Sequence, residues 1–263
     1  MMNLDLVGKH ALVCGSTQGI GKAIAIGLAK MGADVTLVAR NAHKLKEVKA
    51  ELDTTKGQEH HYISADFSFP AELKVKVENY METSKPVNIL VNNTGGPAGG
   101  PISVAKSDEF LTTFNNHLIC NHFMMKATIK GMKDSGYGRI INIISTSVKI
   151  PLKGLGVSNT IRGAVANWAK TLSIELGADG ITVNNVLPGA TRTARLESII
   201  ENKANKEGKS VKDVENLMLS AIPAARFGLA EEIANAACFL ASPAAAYING
   251  VNIPVDGGRT GSL

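Results

Sequence analysis

Eight residues near the amino terminus constrain the fold more than any other stretch of this 263-residue chain. Residues 14–21 read CGSTQGIG, after the apolar residues 11–13 and before the helix-forming residues 22–29. Glycine permits a sharp turn and a close approach to a pyrophosphate, and the amide groups at a helix start face its oxygens. The pattern therefore predicts a dinucleotide site rather than an ordinary tight turn. The predicted contact residues are Gly15, Ser16, Gln18, Gly19, Ile20 and Gly21.

Strand-like and helix-like segments alternate along the rest of the chain. Strands are predicted at residues 11–13, 35–39, 60–65, 89–93, 139–144, 181–187 and 249–255, and helices at residues 22–29, 44–52, 71–83, 108–133 and 159–176. Nearly continuous apolar strands separated by helices are typical of a parallel sheet with helices on both faces. We therefore expect an α/β fold with a doubly wound sheet, and one domain over residues 1–263.

The composition limits the partners and the location. The formal charge is +5 and the pI is near 9.0, but no block of Lys or Arg suggests nucleic-acid binding. No apolar run is long enough for a signal peptide or a membrane span. Cys14, Cys120 and Cys238 lie far apart without metal-ligand spacing. We therefore expect reduced thiols, no metal site, no membrane partner and a cytoplasmic protein.

The residue after the second strand indicates the cofactor. NAD sites usually carry an acid there for the ribose hydroxyls, whereas NADP sites prefer an Arg for the added phosphate. This chain has Arg40, with His43 and Lys44 nearby and no acid. An Arg can hold a phosphate through two parallel hydrogen bonds. We expect NADP(H) to be preferred over NAD(H), and the alternative is a solvent-facing Arg40.

Two irregular segments follow strands and so lie at the edge where such sheets bind ligands. Residues 95–101 are rich in glycine and proline, and residues 188–193 follow the sixth strand. Just beyond them, Arg192 and Arg195 could receive a carboxylate or phosphate of the substrate, and a surface role is an equal alternative. The charged residues 197–213 indicate either a mobile cover over the substrate or a plain surface helix.

Six further motifs accompany the glycine turn. They are Asp66, Asn92-Asn93-Thr94-Gly95, Asn184, Pro188-Gly189 with Thr193, Arg226-Phe227-Gly228 and Asp256-Gly257-Gly258. Over nearly the whole chain this set resembles the short-chain dehydrogenase/reductase family, in the branch that includes 3-oxoacyl-acyl-carrier-protein reductases. The resemblance implies a Rossmann-type sheet of about seven strands and a homotetramer. It also implies a small carbonyl or alcohol substrate, with acyl thioesters among the candidates.

The resemblance also implies cofactor contacts beyond the glycine turn. Asp66 and Phe67 would flank the adenine, and Asn93 and Gly95 would line the ribose. The nicotinamide end would be held by Pro188, Gly189, Thr191 and Thr193.

The catalytic positions are where the chain departs from the family. Members carry a Ser after the fifth strand, a Tyr 13 residues on, a Lys four residues beyond it and an Asn in the preceding helix. Here those positions hold Ser145, Ser158, Arg162 and His117. A Ser hydroxyl is a far poorer acid than an activated phenol, although it can hydrogen-bond a carbonyl. Arg162 keeps a permanent cation, so it can still contact the cofactor ribose.

His117 is the replacement that brings chemistry of its own. Imidazole titrates near pH 6.5 and is the commonest general acid–base side chain. We hypothesise that His117 donates the proton while Ser145 and Ser158 bind the substrate oxygen. The alternative is a His that only fills its helix position. No evident substitute for the missing Tyr is offered by Tyr137, Tyr247 or His122.

Three functions agree with this sequence. The first is an NADP(H)-dependent oxidoreductase with an altered proton-transfer group. The second is a catalytically silent nucleotide-binding protein, such as a sensor or a partner subunit. The third is an enzyme that uses the same pocket for non-redox chemistry. Only the first predicts cofactor oxidation coupled to a substrate.

Overall fold

The structure is a computed structural model that describes residues 2–262. Its seven strands are parallel and form a single sheet. The strand order is β3-β2-β1-β4-β5-β6-β7, so the chain winds outward from β1 in one direction and then from β4 in the other. The strands are β1 (His10–Cys14), β2 (Asp34–Ala39), β3 (His61–Ser64), β4 (Ile89–Asn92), β5 (Gly138–Ile143), β6 (Ile181–Pro188) and β7 (Asn252–Val255). The predicted doubly wound sheet is confirmed.

Nine α-helices lie in the described residues. They are α1 (Gly19–Lys30), α2 (Ala42–Glu51), α3 (Pro70–Met81), α4 (Ser107–Phe114), α5 (Cys120–Asp134), α6 (Gly156–Leu176), α7 (Ala194–Glu207), α8 (Val211–Leu219) and α9 (Ala230–Ala241). Among residues 2–262, no helix combines the length and the apolar character that crossing a membrane requires. α9 is not among the predicted helices.

The core has two layers, one on each face of the sheet. Along β1, Ala11 and Val13 point to the layer that α1, α2 and α9 cover. Leu12 and Cys14 point to the opposite layer, which α3, α5 and α6 cover. Because successive strand residues face opposite sides and both sides are buried, the strand is apolar at every position. This two-sided burial explains the continuous apolar runs in the sequence.

Two predicted elements need correction. The helix expected over residues 108–133 is interrupted by a π-helical turn, Asn115–Ile119, between α4 and α5. Side-chain propensity does not signal such a turn, which inserts one extra residue per turn. The last strand begins at Asn252 instead of residue 249, because the Asn249 side chain accepts from the Val183 amide at 2.9 Å. Gly250 then turns with a φ of +72°.

A ladder of asparagine side chains crosses four strands. Asn92, Asn142, Asn185 and Asn252 lie opposite one another in register on β4, β5, β6 and β7. Each amide nitrogen donates to the next side-chain oxygen, at 2.9, 2.9 and 2.8 Å. Buried amides are costly to leave unpaired, so this ladder fixes the register of the strands. Asn92 is the last residue of β4 and Asn142 lies next to the last residue of β5, so the ladder lies just before the loops that follow these strands.

Candidate cofactor and catalytic site

The glycine turn between β1 and α1 has no room for side chains. Gly15 has a φ of +60° and Gly19 a φ of +54°, a region that residues with a Cβ rarely adopt. A Cβ on Gly15 would lie 2.4 Å from the Asn93 carbonyl oxygen. A Cβ on Gly21 would lie 2.2 Å from the Gly15 carbonyl oxygen. The backbone geometry therefore requires glycine at these positions.

Two other loops meet this turn. The Asn93 amide nitrogen donates to the carbonyl oxygens of Cys14 and Gly15, both at 3.3 Å. On the other side, a Cβ on Gly19 would lie 3.2 Å from the Thr193 methyl group. The structure thus brings the predicted residues Asn93 and Thr193 to the glycine turn from the ends of β4 and β6.

The turn offers unsatisfied hydrogen-bond donors for a phosphate. The Ser16 hydroxyl is fully buried, and within residues 2–262 it has no hydrogen-bond partner. Gln18 precedes α1 and its side chain makes no capping bond, so the first amide groups of this helix lack a side-chain acceptor. An unsatisfied buried hydroxyl costs about 1–3 kcal/mol. Phosphate oxygens would satisfy these donors, so the residues fit a dinucleotide.

The residues predicted for the adenosine end lie on the next two strands. Arg40 directly follows β2 and is exposed, and Asp66 and Phe67 follow β3. The Ser64 hydroxyl donates to the Arg40 carbonyl oxygen at 3.3 Å, which joins the two strand ends. Because β2 adjoins β1, Arg40 is on the same edge of the sheet as the glycine turn. Arg40 is therefore placed for a phosphate on the adenosine ribose.

The residues predicted for the nicotinamide end form the loop after β6. A Cβ on Gly189 would lie 2.6 Å from the Asp256 Cβ, so this position is also closed to side chains. The Thr191 hydroxyl donates to the Gly189 carbonyl oxygen at 3.1 Å. Thr193 caps α7 by accepting from the Leu196 amide at 3.4 Å. Local hydrogen bonds thus shape the loop that runs from Pro188 to Thr193.

The predicted catalytic side chains converge at the end of β5. Ser145 follows this strand and accepts from the Ser147 amide at 3.1 Å. Ser158 and Arg162 lie one turn apart on α6, and both are buried. Residues four apart share one helix face, and Arg162 Nη1 donates to the Ile143 carbonyl oxygen at 2.9 Å. The structure therefore places Arg162 against the strand end that leads to Ser145.

His117 is held by the loop after β4. The π-helical turn carries the ring inward, where only 2% of the residue is exposed. Its Nδ1 forms a hydrogen bond with the Thr94 hydroxyl, and the Gly95 backbone provides a second partner. Burial, with the cations of Arg162 and Arg195, lowers the pKa of His117 to about 2. The ring is therefore neutral at physiological pH, and its role as the proton donor stays a prediction.

Arg192 and Arg195 were both candidates for an anionic substrate group, with a surface role as the alternative, and the structure separates them. Arg192 pairs with Glu215 at 3.8 Å and lies over the Phe227 ring at 5.3 Å from its centre. Arg195 instead donates to the carbonyl oxygens of Gly96 and Pro97, at 2.8 and 3.3 Å. α7 begins between the two residues, so their side chains leave in different directions. We call the region formed by Ser145, Ser158, Arg162 and His117 the catalytic corner. Of the two arginines in this loop, Arg195 is the one that faces it.

Gly96 is the functional residue that the sequence analysis misses. A Cβ there would lie 2.6 Å from Arg195 Nη2 and 3.5 Å from Arg162 Nη2. The two guanidinium groups therefore converge on one glycine, which comes from the loop after β4. The Gly95-Gly96 pair is visible in the sequence, but the sequence alone does not show that the Arg162 and Arg195 side chains approach Gly96.

The remaining candidates lie elsewhere. The Tyr137 hydroxyl donates to the Ala241 carbonyl oxygen at 2.7 Å, and Tyr247 is fully exposed. His122 packs edge-on against Trp168, with ring centres 6.5 Å apart. The charged segment after β6 forms α7 and part of α8, which share a small apolar core built around Leu196, Ile200 and Val214.

Comparison with known proteins identifies the family. Residues 15–260 match the family model described as enoyl-(acyl carrier protein) reductase. The chain belongs to the short-chain dehydrogenase/reductase family. NADPH-dependent reductase BacG of Bacillus subtilis is 31% identical over 256 residues, which cover 97% of this chain and 99% of that protein. The 3-oxoacyl-[acyl-carrier-protein] reductase FabG of Pseudomonas aeruginosa is 33% identical, with 97% and 98% covered.

A solved structure of another short-chain dehydrogenase/reductase superposes closely. L-sorbose reductase from Gluconobacter frateurii, complexed with NADPH and L-sorbose, has a TM-score of 0.92 and 30% identity over the full length of both chains. The predicted family and the Rossmann-type fold are thus confirmed. These relatives also agree with the NADP(H) prediction. The match of Ser158, Arg162 and His117 to the family's catalytic positions stays a prediction.

Proposed function

We propose that this chain is an NADP(H)-dependent oxidoreductase that transfers a hydride between the cofactor and the carbonyl carbon of a small molecule. The observation that carries the proposal is the glycine turn. Gly15 and Gly21 are packed so tightly against Asn93 and each other that no side chain can enter, while Ser16 has an unsatisfied buried hydroxyl. A turn of this kind, at the start of a helix, is suited to a pyrophosphate.

The cofactor is NADP(H). Arg40 follows β2, where NAD sites carry an acid, and its exposed guanidinium can pair with a ribose phosphate in two-pronged fashion. BacG is named as an NADPH-dependent reductase, and L-sorbose reductase was solved with NADPH.

The chain's own residues would orient the carbonyl group. Bound NADPH supplies the hydride. Ser145 and Ser158 can each donate a hydrogen bond to the substrate oxygen, which places it at the end of β5. Arg162 holds a fixed cation beside them, because burial and Arg195 lower its pKa only to about 10. Hydrogen bonds that strengthen as charge develops on the oxygen favour the transition state.

One observation favours a second function, a protein that binds NADP(H) without turnover. Ser158 offers no phenol, and His117 is neutral in the free protein, so no group in the catalytic corner is an evident acid at neutral pH. A sensor or partner subunit would need only the cofactor half of the site.

The relatives do not select one substrate. FabG is named for 3-oxoacyl groups on acyl carrier protein, whereas L-sorbose reductase was solved with a sugar. The proposal is therefore a small carbonyl or alcohol compound, with an acyl thioester as one candidate.

Fluorescence titration with NADPH, and with NADH as the control, tests the cofactor half. We expect tight binding that is at least about tenfold stronger for NADPH, as the loss of charge-assisted hydrogen bonds predicts. A panel of ketones, aldehydes and acyl thioesters then tests turnover. Oxidation of NADPH that depends on a substrate supports the oxidoreductase. Binding without turnover supports the silent protein, and product formation without change in NADPH indicates non-redox chemistry. Equal or absent binding of both cofactors overturns the proposal.

We also propose a homo-oligomer, a tetramer by the family resemblance, in the cytoplasm. Apolar side chains on α4 and α6 are exposed, with Leu111 at 61% and Ile174 at 74%. An interface between copies of the chain would cover such side chains if they form one patch. The three cysteines are buried and unpaired, which suits a reducing compartment. Sedimentation at several concentrations gives the oligomeric state, and a monomer at all of them contradicts this assignment.

A further inference from the structure

We propose that Arg162 and Arg195 form a receptor for a carboxylate group of the substrate, so that the compound reduced is an oxo acid. The inference rests on the proposed hydride transfer. It gives that reaction a substrate class.

The two guanidinium groups come from different helices and meet across Gly96. Arg162 reaches this point from α6 and Arg195 from the first turn of α7. Both Nη2 atoms lie close to the space above Gly96, where a Cβ would lie 3.5 Å from the Arg162 atom and 2.6 Å from the Arg195 atom. A glycine at this position keeps the space between the two cations free of a side chain.

Neither guanidinium has an acidic partner. The ion pairs formed within residues 2–262 include neither Arg162 nor Arg195. In the described part of the chain, their hydrogen bonds go only to backbone carbonyl oxygens, of Ile143 for Arg162 and of Gly96 and Pro97 for Arg195. Each guanidinium has five N–H donors, so both keep donors for a further acceptor.

The charge of this pair calls for an anion. Arg162 is only 8% exposed, and burial together with Arg195 lowers its pKa to about 10, so it remains a cation. Arg195 is exposed to solvent, but a buried cation beside a second cation is unfavourable unless an anion compensates it. A carboxylate is the planar acceptor that matches a guanidinium with two parallel hydrogen bonds.

The position favours a substrate carboxylate over a cofactor phosphate. The glycine turn lies at the end of β1, whereas Arg162 is anchored to Ile143 at the end of β5. β4 lies between these strands, so the two sites are about 10 Å apart at ordinary strand spacing. In the proposed function, the glycine turn binds the pyrophosphate of the cofactor. The arginine pair instead adjoins Ser145, Ser158 and His117, where the carbonyl would react.

A bound carboxylate would also change the neighbouring histidine. Burial first, and then the same two arginines, hold the pKa of His117 far below its usual value. An anion between them offsets their charge, so the pKa of His117 rises when the acid binds. The carbonyl carbon then accepts the hydride while the electron pair of the C=O π bond moves to oxygen. Once its pKa has risen, His117 takes up a proton from solvent, and in this protonated form it gives a proton to that oxygen and returns to the neutral ring. The products are a hydroxy acid and NADP⁺.

Matched pairs of acids and esters test the receptor. The substrates are pyruvate, 2-oxobutyrate, phenylpyruvate and acetoacetate, each beside its methyl ester, with NADPH. We expect the wild type to show kcat/KM about 10–100-fold higher for at least one acid than for its ester, as two charge-assisted hydrogen bonds predict. In Arg195→Gln the acid should fall to within about threefold of the ester. Arg192→Gln, which alters the neighbouring arginine that pairs with Glu215, should keep the wild-type preference.

Other results separate this inference from the proposed function. Esters reduced as well as their acids would overturn the receptor and leave the oxidoreductase standing. A weaker NADPH affinity in Arg195→Gln, with the acid preference unchanged, would overturn the receptor in favour of a cofactor contact. If NADPH binds and nothing is reduced, calorimetry of the same four carboxylates with NADP⁺-loaded protein decides. Binding that Arg195→Gln abolishes supports the receptor and overturns hydride transfer. No binding overturns the receptor.

Discussion

The glycine turn and the catalytic corner lie on the same edge of the sheet but are built in different ways. At the turn, the positions of Gly15 and Gly21 are dictated by backbone atoms, which leave a Cβ 2.4 and 2.2 Å from its nearest neighbours. At the corner, the positions of Arg162, Arg195 and His117 are dictated by side-chain charge and hydrogen bonding.

This difference determines what each region tolerates. A site made by steric exclusion admits one residue type, so a substitution there should abolish binding. A site made by side chains can be rebuilt with other donors and cations, which is what we predict for Ser158 and Arg162. We therefore expect the turn to be intolerant of change and the corner to change its chemistry while the fold persists.

The largest expected effect is at the turn. In Gly21→Ala, the new methyl group would collide with the Gly15 carbonyl, a backbone atom that cannot move without opening the turn. We expect the Kd for NADPH to rise at least about 100-fold, which corresponds to about 2.7 kcal/mol. Fluorescence titration measures it. Gly163→Ala is the control, because this exposed glycine in the middle of α6 has nothing within 4 Å of a Cβ. It should bind NADPH normally, and normal binding by Gly21→Ala would contradict the steric account.

The asparagine ladder crosses strands β4 to β7, and breaking it gives a second large effect. Asn142→Ala leaves the Asn92 amide nitrogen and the Asn185 side-chain oxygen without their partners in the buried sheet. Each unsatisfied buried group costs about 1–3 kcal/mol, so for two groups we expect a loss of roughly 2–6 kcal/mol in the free energy of unfolding. Urea unfolding measures it, with the exposed Asn167→Ala on α6 as the control. Equal stability of the two variants would show that the ladder is dispensable.

Cofactor preference gives an intermediate effect, because Arg40 acts through charge at an exposed position. Arg40→Gln removes the cation that we assign to the ribose phosphate. We expect the Kd for NADPH to rise about 10–30-fold while the Kd for NADH changes less than about twofold. Titration of both cofactors checks this. An equal loss for NADPH and NADH would mean that Arg40 supports the turn itself and does not recognise the phosphate.

The same comparison explains what the sequence could predict. The glycine turn and the strands follow from local backbone and burial rules, so each of them can be predicted from a short segment of the sequence. The asparagine ladder is not, because neighbouring members are separated by 43 to 67 positions in the sequence. Only the strand register brings them together.

The catalytic corner was predicted residue by residue but not as an arrangement. Arg162 contacts Ile143 at the end of β5, which Ser145 follows, and Ser158 lies one turn before Arg162 on α6. Arg192 and Arg195 look equivalent in sequence, yet contacts with Glu215 and with Gly96 send them apart. The pKa of His117 depends on burial and on two arginines from other helices, so a sequence can suggest an imidazole but not its charge.

The last expected effect tests that charge through stability. The pKa of His117 is about 2 in the folded protein and near its usual 6.5 when unfolded. Below pH 6.5 the unfolded chain therefore binds a proton that the folded protein does not, and stability falls by up to about 1.4 kcal/mol per pH unit. His117→Asn removes this contribution, so its free energy of unfolding should fall less steeply between pH 6 and pH 4.

Urea unfolding of the wild type, His117→Asn and Arg195→Gln across this pH range sharpens the result. Removing the Arg195 cation raises the pKa of His117 toward its usual value, so Arg195→Gln should fall between the other two proteins in slope. His10, whose pKa is also lowered by burial, contributes alike in all three and cancels in the differences. Parallel curves for the three proteins would show that His117 is not held neutral by its surroundings. The charge of His117 would then not depend on the Arg162 and Arg195 cations.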